Sequence, residues 1–268
     1  DITDSTNLEA RRMLAQGVVK QPFAIFTNYQ TSGRGQGNHT WSSTHGKNLT
    51  VSITIKPQIK AIEQFYLTAL TSISILQTVE ETIEQSRQHN DNQQVKIKWI
   101  NDVYVGDNKI AGILISNDIV DDMIDNSIIG IGLNINETDF PADIPNPTSL
   151  KKETGKEYEI EDILNTLTAK FESNMKILQN SRDTLREQYI EHLYKINEPH
   201  YYTISGKREL ISIRGIDEFG DIITTITGTK SGDTFGSGRL DDMVIYDGVD
   251  GVEGNIYQKE FGYLSSLW

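Results

Sequence analysis

The stretch from residue 95 to residue 134 constrains the fold most, because four β-type runs follow one another there with little between them. The runs are residues 95–99 (VKIKW), 103–105 (VYV), 110–116 (IAGILIS) and 127–134 (SIIGIGLN). Gly106-Asp107-Asn108 supplies a hairpin turn between the second and third, so the four read as one antiparallel meander. In the segment before it, Ile62, Phe65, Ala69, Ile73, Leu76, Val79 and Ile83 recur at three and four, with Leu70 widening the stripe. That spacing predicts a long amphipathic helix over about 59–87, closed by a polar loop at 89–94. Residues 49–55 (LTVSITI) alternate apolar and hydroxyl side chains, as a half-buried strand does, and Pro57 stops them. Residues 23–29 (FAIFTNY) are a further strand that runs into a glycine-rich loop at 33–37. Asp4-Ser5-Thr6-Asn7 opens a first helix, since these residue types cap free amides and Leu8, Arg12, Met13 and Leu14 follow at helical spacing.

Residues 140–147 hold three of the six prolines and form a loop, and residues 160–178 and 185–194 are two more helices. Beyond Pro199 the character changes. Short strands at 201–204, 210–215 and 222–226 are separated by turns at Gly206-Lys207, Asp217-Glu218-Phe219-Gly220 and Gly228-Thr229-Lys230, the pattern of a small β-barrel of about fifty residues. The expected organisation is a domain over 1–197, a barrel over 198–250 and an extension over 251–268. The C-terminal stretch carries Asp241, Asp242, Asp247, Asp250 and Glu253 ahead of Lys259, which reads as a solvated or partner-facing segment.

The formal charge is −13, from 25 Lys+Arg and 38 Asp+Glu, and no stretch gathers five or six basic residues. A nucleic-acid surface is therefore not expected. The absence of cysteine excludes disulfides, thiolate metal sites and a cysteine nucleophile, leaving chemistry to oxygen and nitrogen groups. No apolar run reaches the ~18–20 residues of a membrane span and no signal-peptide pattern opens the sequence, so a cytoplasmic protein with no membrane partner is expected. The sequons at Asn38, Asn48 and Asn136 then read as chance matches.

Three clusters stand out. In Gly33-Arg34-Gly35-Gln36-Gly37, glycines at alternate positions let backbone amides approach an anion, although a flexible hairpin loop accounts for them equally well. The spacing is not that of a dinucleotide-binding turn, and residues 228–238 (GTKSGDTFGSG) fail the P-loop pattern because Thr229 precedes Lys230. In the second cluster, Lys98-Trp99-Ile100-Asn101-Asp102, the following hairpin returns Lys109 toward Asn101 and Asp102. A lysine beside a carboxylate on a sheet is most often a surface ion pair. The third, Gly130-Ile131-Gly132-Leu133-Asn134, offers either a bulge or a floor on which something bulky lies flat against the backbone. His39, His45, His89, His192 and His200 show no ligand spacing.

Taken together and in this order, Asp4-Ser5-Thr6-Asn7, the run from Tyr29 through the glycine loop to Trp41, Lys98-Trp99-x-Asn101-Asp102 with Lys109-x-x-Gly112-Ile113-Leu114, Gly130-Ile131-Gly132-Leu133-Asn134 and Thr148-Ser149-Leu150 resemble the biotin protein ligase family. The resemblance implies an α/β (α+β) catalytic domain with a mixed or antiparallel sheet and flanking helices, followed by a small SH3-like β-barrel. It implies formation of biotinyl-AMP from biotin and ATP with Mg2+, then transfer to a lysine of a biotin carboxyl carrier domain. Lys109, Arg34 and Asp102 are its catalytic candidates: the two cations on the α-phosphate with the Gly33 and Gly35 amides, the carboxylate on the incoming amine. Biotin falls to Ser5, Thr6, Asn7, Gln30, Gly33, Arg34, Gly35, Gln36, Lys109 and Gly112. ATP and the adenylate fall to Arg34, Gln36, His39, Trp41, Asn101, Lys109 and Asn134, with Trp41 stacking on and Asn134 reading the adenine. No protein metal ligands beyond those serving Mg-ATP are expected.

Two departures mark this sequence. Gln36 stands where family members often carry Arg, with His39 and Thr40 at positions that are often basic, so fewer charges face the adenylate phosphate. Ile100 stands where proline is usual, which bears on strand geometry more than on chemistry. Since no winged helix precedes Asp1, the monofunctional type without a DNA-binding domain is expected; a homodimer is compatible with the resemblance. The rival readings are a lipoate-protein ligase, whose pocket would be narrower and more apolar, and a non-catalytic biotin or nucleotide sensor, which Lys109 and Asp102 argue against.

Overall fold

The computed structural model describes residues 2–17, 20–37, 39–86, 93–204, 207–227, 234–239 and 243–244. The chain separates after Tyr194 into two compact units. In the first, the order is β1 (Ile2–Thr3), α1 (Thr6–Gln16), β2 (Phe23–Thr27), β3 (Tyr29–Gln30), β4 (Asn48–Ile55), a 3-10 turn (Ala61–Glu63), α2 (Phe65–Gln85), β5 (Val95–Lys98), β6 (Asp102–Val105), β7 (Asn108–Val120), β8 (Met123–Asn134), α3 (Leu150–Thr154), α4 (Ile160–Asn180) and α5 (Arg182–Glu191). Six strands form one antiparallel sheet in the order β2-β4-β8-β7-β6-β5. The expected meander is its β5–β8 half, and the fold is α/β with helices flanking an antiparallel sheet.

Alternation along the strands gives the sheet two unlike faces. Val95, Ile97, Val103, Ala111, Ile113, Ile129, Ile131, Leu133, Leu49, Val51 and Ile53 are all buried, on the face against which α2 packs. Helices α4 and α5 cover α2 in turn. A third layer behind it is why α2 is buried nearly all round rather than amphipathic. Its inward hydroxyls satisfy themselves on the preceding turn, Thr71 on the Leu67 carbonyl at 2.7 Å and Thr78 on that of Ser74 at 2.8 Å. Ile62, expected on the buried stripe, lies in the 3-10 turn before the helix and is 54% exposed.

The opposite face carries Lys98, Asp102, Gly112, Leu114, Gly130, Gly132, Thr50, Ser52 and Thr54. Here β4 departs from expectation, being buried along its whole length. Helix α1 packs over the hydroxyl side, and each hydroxyl has a partner: Thr50 donates to the Thr27 carbonyl at 3.0 Å, Ser52 to the Thr6 hydroxyl at 2.8 Å and Thr54 to the Phe23 carbonyl at 3.1 Å. Of the sequons, Asn48 and Asn136 are buried, while Asn38 lies outside the described residues.

The second unit holds β9 (Pro199–Ile204), β10 (Lys207–Ile216), β11 (Ile222–Thr227), β12 (Thr234–Arg239) and β13 (Met243–Val244), paired antiparallel in the order β12-β11-β10-β9-β13. The first three match the expected short strands, and the turn at 217–220 closes on the Asp217 carboxylate. The loop expected after α2 at 87–92, the turns at Gly206 and 228–230, and the acidic stretch apart from 243–244 lie outside the described residues.

Candidate active site

One row of register partners crosses the whole sheet: Lys98, Asp102, Gly112, Gly132, Thr50, Thr27. Lys109 joins that face through a register shift. Val103 pairs with Ala111 but Tyr104 pairs with Lys109, so Ile110 is the extra residue of a β-bulge. Lys109 and Gly112 are three apart, and a regular strand would send them to opposite faces; the bulge puts them on one. Lys109 Nζ then reaches Asp102 Oδ1 at 2.7 Å, with the two side chains 24% and 11% exposed. This is a largely buried pair, not the surface contact that spacing alone suggested. The Lys109 backbone is anchored on both sides, its amide to the Asn146 carbonyl at 2.8 Å and its carbonyl to the Thr148 amide at 2.9 Å.

The turn before Asp102 is braced twice. Asn101 donates its side-chain amide to the Ile113 carbonyl at 2.8 Å and accepts the Ile113 amide on its own carbonyl at 3.0 Å. Tyr189 of α5, fully buried, donates its hydroxyl to the Ile100 carbonyl at 2.8 Å. Burial pushes that phenol well above the usual tyrosine range, and the Asp102 charge adds to the shift. The Trp99–Ile100 peptide is cis. Asn134, on the glycine face, gives its amide to the Thr148 carbonyl at 3.0 Å. Asn101 and Asn134 are thus engaged with backbone here.

A second polar group forms under α1. The parallel pairing of β1 with β3 sets Thr3 beside Gln30. The Thr6 amide and hydroxyl both donate to Gln30 Oε1, at 2.8 and 3.2 Å, and Ser52 completes the chain from β4. Ser5 and Asn7 are buried beside them, and Asn7 Nδ2 is a buried donor with no partner. Ser5 sits at the N-cap of α1 without making a side-chain capping bond; the Ser5 amide is held instead by Asp4 Oδ1 at 2.7 Å. Asp4 in turn takes two bonds from Arg12, at 2.7 and 2.9 Å. Those bonds, followed by the one from the Ser5 amide, hold the Asp4 carboxyl well below the usual carboxylate range. Ser52 and the Asp4–Arg12 brace were not singled out from sequence, although the hydroxyl alternation of 49–55 already put Ser52 on one strand face with Thr50.

The glycine loop is a small hairpin. Arg34 pairs with Thr40, and the Gly35 amide donates to the His39 carbonyl at 2.8 Å. The Gly35 amide is therefore committed within the loop and meets an anion only if that bond opens. Gly33 is required by close approach: a Cβ there would lie 2.2 Å from the Trp41 carbonyl oxygen. Gly37 takes φ 61°, the left-handed region that favours glycine. Arg34, Gln36 and His39 are exposed on this hairpin, and Arg34 forms no ion pair among the described residues.

Trp41 connects the two polar groups. Its backbone lies against Gly33 and its indole lies flat on the sheet, where a Cβ on Gly132 would come 2.3 Å from Cε2 and one on Gly112 3.3 Å from Cζ3. Strand β8 keeps regular register with β4 through 127–134, so the glycines there form a floor and not a bulge. The Trp41 Nε1 donor is buried and has no partner. No group of three His, Asp or Glu suited to a metal ion occurs among the described residues, and no described helix is long and apolar enough to cross a membrane.

An antiparallel sheet whose glycine floor carries a lysine–carboxylate pair at one end and a buried hydrogen-bonding group at the other belongs to a known class. The fold is that of a biotin protein ligase from Aquifex aeolicus, solved in complex with biotin and ATP, with a TM-score of 0.68 over 88% of this chain and 93% of that one at 22% identity. The chain belongs to the biotin/lipoate A/B protein ligase family, whose pattern matches residues 1–134. It is 28% identical over 179 residues to the bifunctional ligase/repressor BirA of Bacillus subtilis, covering 66% of this chain and 52% of that protein, so it spans about half the length of such relatives. With a biotin–[acetyl-CoA-carboxylase] ligase of Paracoccus denitrificans the identity is 27% over 231 residues, covering 82% of this chain and 90% of the relative.

Proposed function

We propose that the protein is an ATP-dependent biotin protein ligase that forms biotinyl-AMP and passes biotin to a lysine of a biotin carboxyl carrier domain. The observation that carries this reading is the Lys109–Asp102 pair at 2.7 Å, set on the glycine face of the sheet. An amine cannot expel oxide from a carboxylate, so the acid must first be activated. In the first step a carboxylate oxygen of biotin bonds to the α-phosphorus of ATP and pyrophosphate leaves. Lys109 faces the charge that grows on the α-phosphate oxygens, and Arg34 reaches it from the hairpin. In the second step the carrier lysine nitrogen bonds to the acyl carbon, AMP leaves, and Asp102 takes the proton from the amine.

Buried Thr6, Asn7 and Ser52, with half-buried Gln30, offer hydrogen-bonding groups in one place, and the unpaired Asn7 donor can take a ligand acceptor. That chemistry suits a ureido ring better than the dithiolane of lipoate, which has no group to pair with them. Trp41 supplies the stacking surface for adenine. Magnesium entering with ATP would be held mainly by phosphate oxygens and water. We assign this chemistry to a catalytic domain over 1–197, followed in sequence by a barrel over 198–250 and an extension over 251–268.

The test is to incubate the protein with Mg-ATP, an apo carrier domain and either biotin or lipoate, and to follow carrier mass. A biotinyl increment is expected. A lipoyl increment alone would overturn the choice of substrate, and no increment with either would overturn the enzymatic reading.

A further inference from the structure

We infer that Asn146 is a positioning residue that acts through Lys109, fixing the strand end from which the ammonium reaches Asp102 and the reacting centre. The inference rests on the ligase reading above, in which Lys109 faces the α-phosphate. Lys109 lies on the outer side of the bulge at Ile110, beyond the ladder with β8, which begins at Ala111. Residues 146–148 border β7 there instead, with Pro147 bridged in parallel to Lys109. Both backbone polar groups of Lys109 go to this segment, the amide to the Asn146 carbonyl at 2.8 Å and the carbonyl to the Thr148 amide at 2.9 Å.

Asn146 holds the same place a second time with its side chain, whose amide donates to the Asp107 carbonyl in the hairpin turn. One residue thus grips the strand on both sides of Asn108. Its backbone takes φ 36°, in the left-handed region that asparagine tolerates better than most side chains, so conformation and donor come from a single residue type. The turn is pinned independently by the Tyr194 hydroxyl, which donates to the Asp107 carboxylate at 2.6 Å. A bulge breaks the ladder locally, so its place along the strand is set by what holds the chain on either side. On one side Gly112 is paired with Asp102 and Gly132. On the other, the strand is held by its register with Tyr104 and by the segment that Asn146 opens. Without the Asn146 amide the turn loses its side-chain tie to that segment, and the Lys109 end gains slack. Misplacement of a reacting group by about 1 Å costs up to ~10²-fold in rate. Asn146 itself is exposed, so its replacement empties no core.

The test follows biotin-dependent pyrophosphate release from Mg-ATP by the full chain, with kcat and the KM of each substrate measured. Asn146→Gly keeps the left-handed backbone and removes the donor; Asn146→Asp keeps the shape and sets an acceptor against the Asp107 carbonyl. Each is expected to lower kcat by about 10–10²-fold. KM for biotin should hold, because the Thr6, Gln30 and Ser52 group is tied to α1, β3 and β4 and not to this turn. In a Lys109→Ala background, Asn146→Gly is expected to cost nothing further, since the group it positions is gone. Native kcat in both variants would overturn the inference. So would a loss of the same size retained in the Lys109→Ala background, or one carried by KM for ATP alone. An absence of pyrophosphate release from the native protein would instead overturn the ligase reading on which it rests.

Discussion

Removing the Lys109 ammonium should do two separable things. At 2.7 Å from Asp102, and at an effective dielectric of ~20, the gross attraction is about 6 kcal/mol. Desolvation of both groups and their 24% and 11% residual exposure reduce this, leaving a coupling of about 1–3 kcal/mol. Urea melts of the native protein, Lys109→Ala, Asp102→Asn and the double variant isolate that term, and the double variant is expected to lose less than the sum of the singles. The kinetic effect is different in kind. If Lys109 faces the α-phosphate, its loss should slow pyrophosphate release with biotin and ATP by about 10²–10³-fold, or roughly 2.7–4 kcal/mol, while Asp102→Asn should spare that step and slow transfer to the carrier. Pyrophosphate release at the native rate in Lys109→Ala would show the lysine to be an ion-pair partner only, and strict additivity in the melts would show that the two groups do not act as a unit.

Gln36→Arg should slow dissociation of biotinyl-AMP about fivefold, since a charged hydrogen bond exceeds a neutral one by ~1 kcal/mol; an off-rate that does not fall refutes the charge reasoning. Gly33→Ala would set a methyl group 2.2 Å from the Trp41 carbonyl oxygen, and an overpacking cost of about 1–3 kcal/mol should open the hairpin and weaken biotin binding in calorimetry. Tyr189→Phe leaves the Ile100 carbonyl without its hydroxyl partner and should lower stability by about 1–3 kcal/mol in urea melts. Asp4 is depressed in the folded state, chiefly by its Arg12 bonds, so its contribution is complete above about pH 4 and is lost as pH falls toward the folded value. The difference in urea midpoint between native and Asp4→Asn proteins should therefore be constant from neutral pH down to about 4 and shrink below it.

What could be read in advance follows from how local each determinant is. The β5–β8 meander depends on apolar runs and a hairpin turn, and both are visible in a few consecutive residues. Burial of β4 on both sides depends on α1 lying over Thr50, Ser52 and Thr54, and the enclosure of α2 depends on α4 and α5, which begin more than seventy residues later. Alternation within either segment carries no trace of such a partner. At the site, Lys109 and Asp102 could be placed near one another, but the face that Lys109 occupies turns on one unpaired residue, Ile110. The glycines at 112 and 132 announced a floor without saying that the first body on it is the protein's own Trp41. Asn101 and Asn134 carry the polar groups of ligand-reading residues, yet each spends its amide on a backbone carbonyl, Ile113 in one case and Thr148 in the other.

The bulge at Ile110 also sets which kinds of sequence change this strand can absorb. Side-chain replacement at 110 or 111 alters packing under α2 and leaves the wiring of the site intact. Loss of a single residue between Lys109 and Gly112 would leave the two only two apart, which an even ladder already sets on one face, so the shortened strand would keep the pairing without a bulge. A strand of native length with the bulge ironed flat would instead turn one of the two toward the helix layer, either an ammonium among aliphatic side chains or a glycine gap where a side chain should seal the core. Along these four positions length and bulge are therefore a single choice: three apart with the extra residue, or two apart without it.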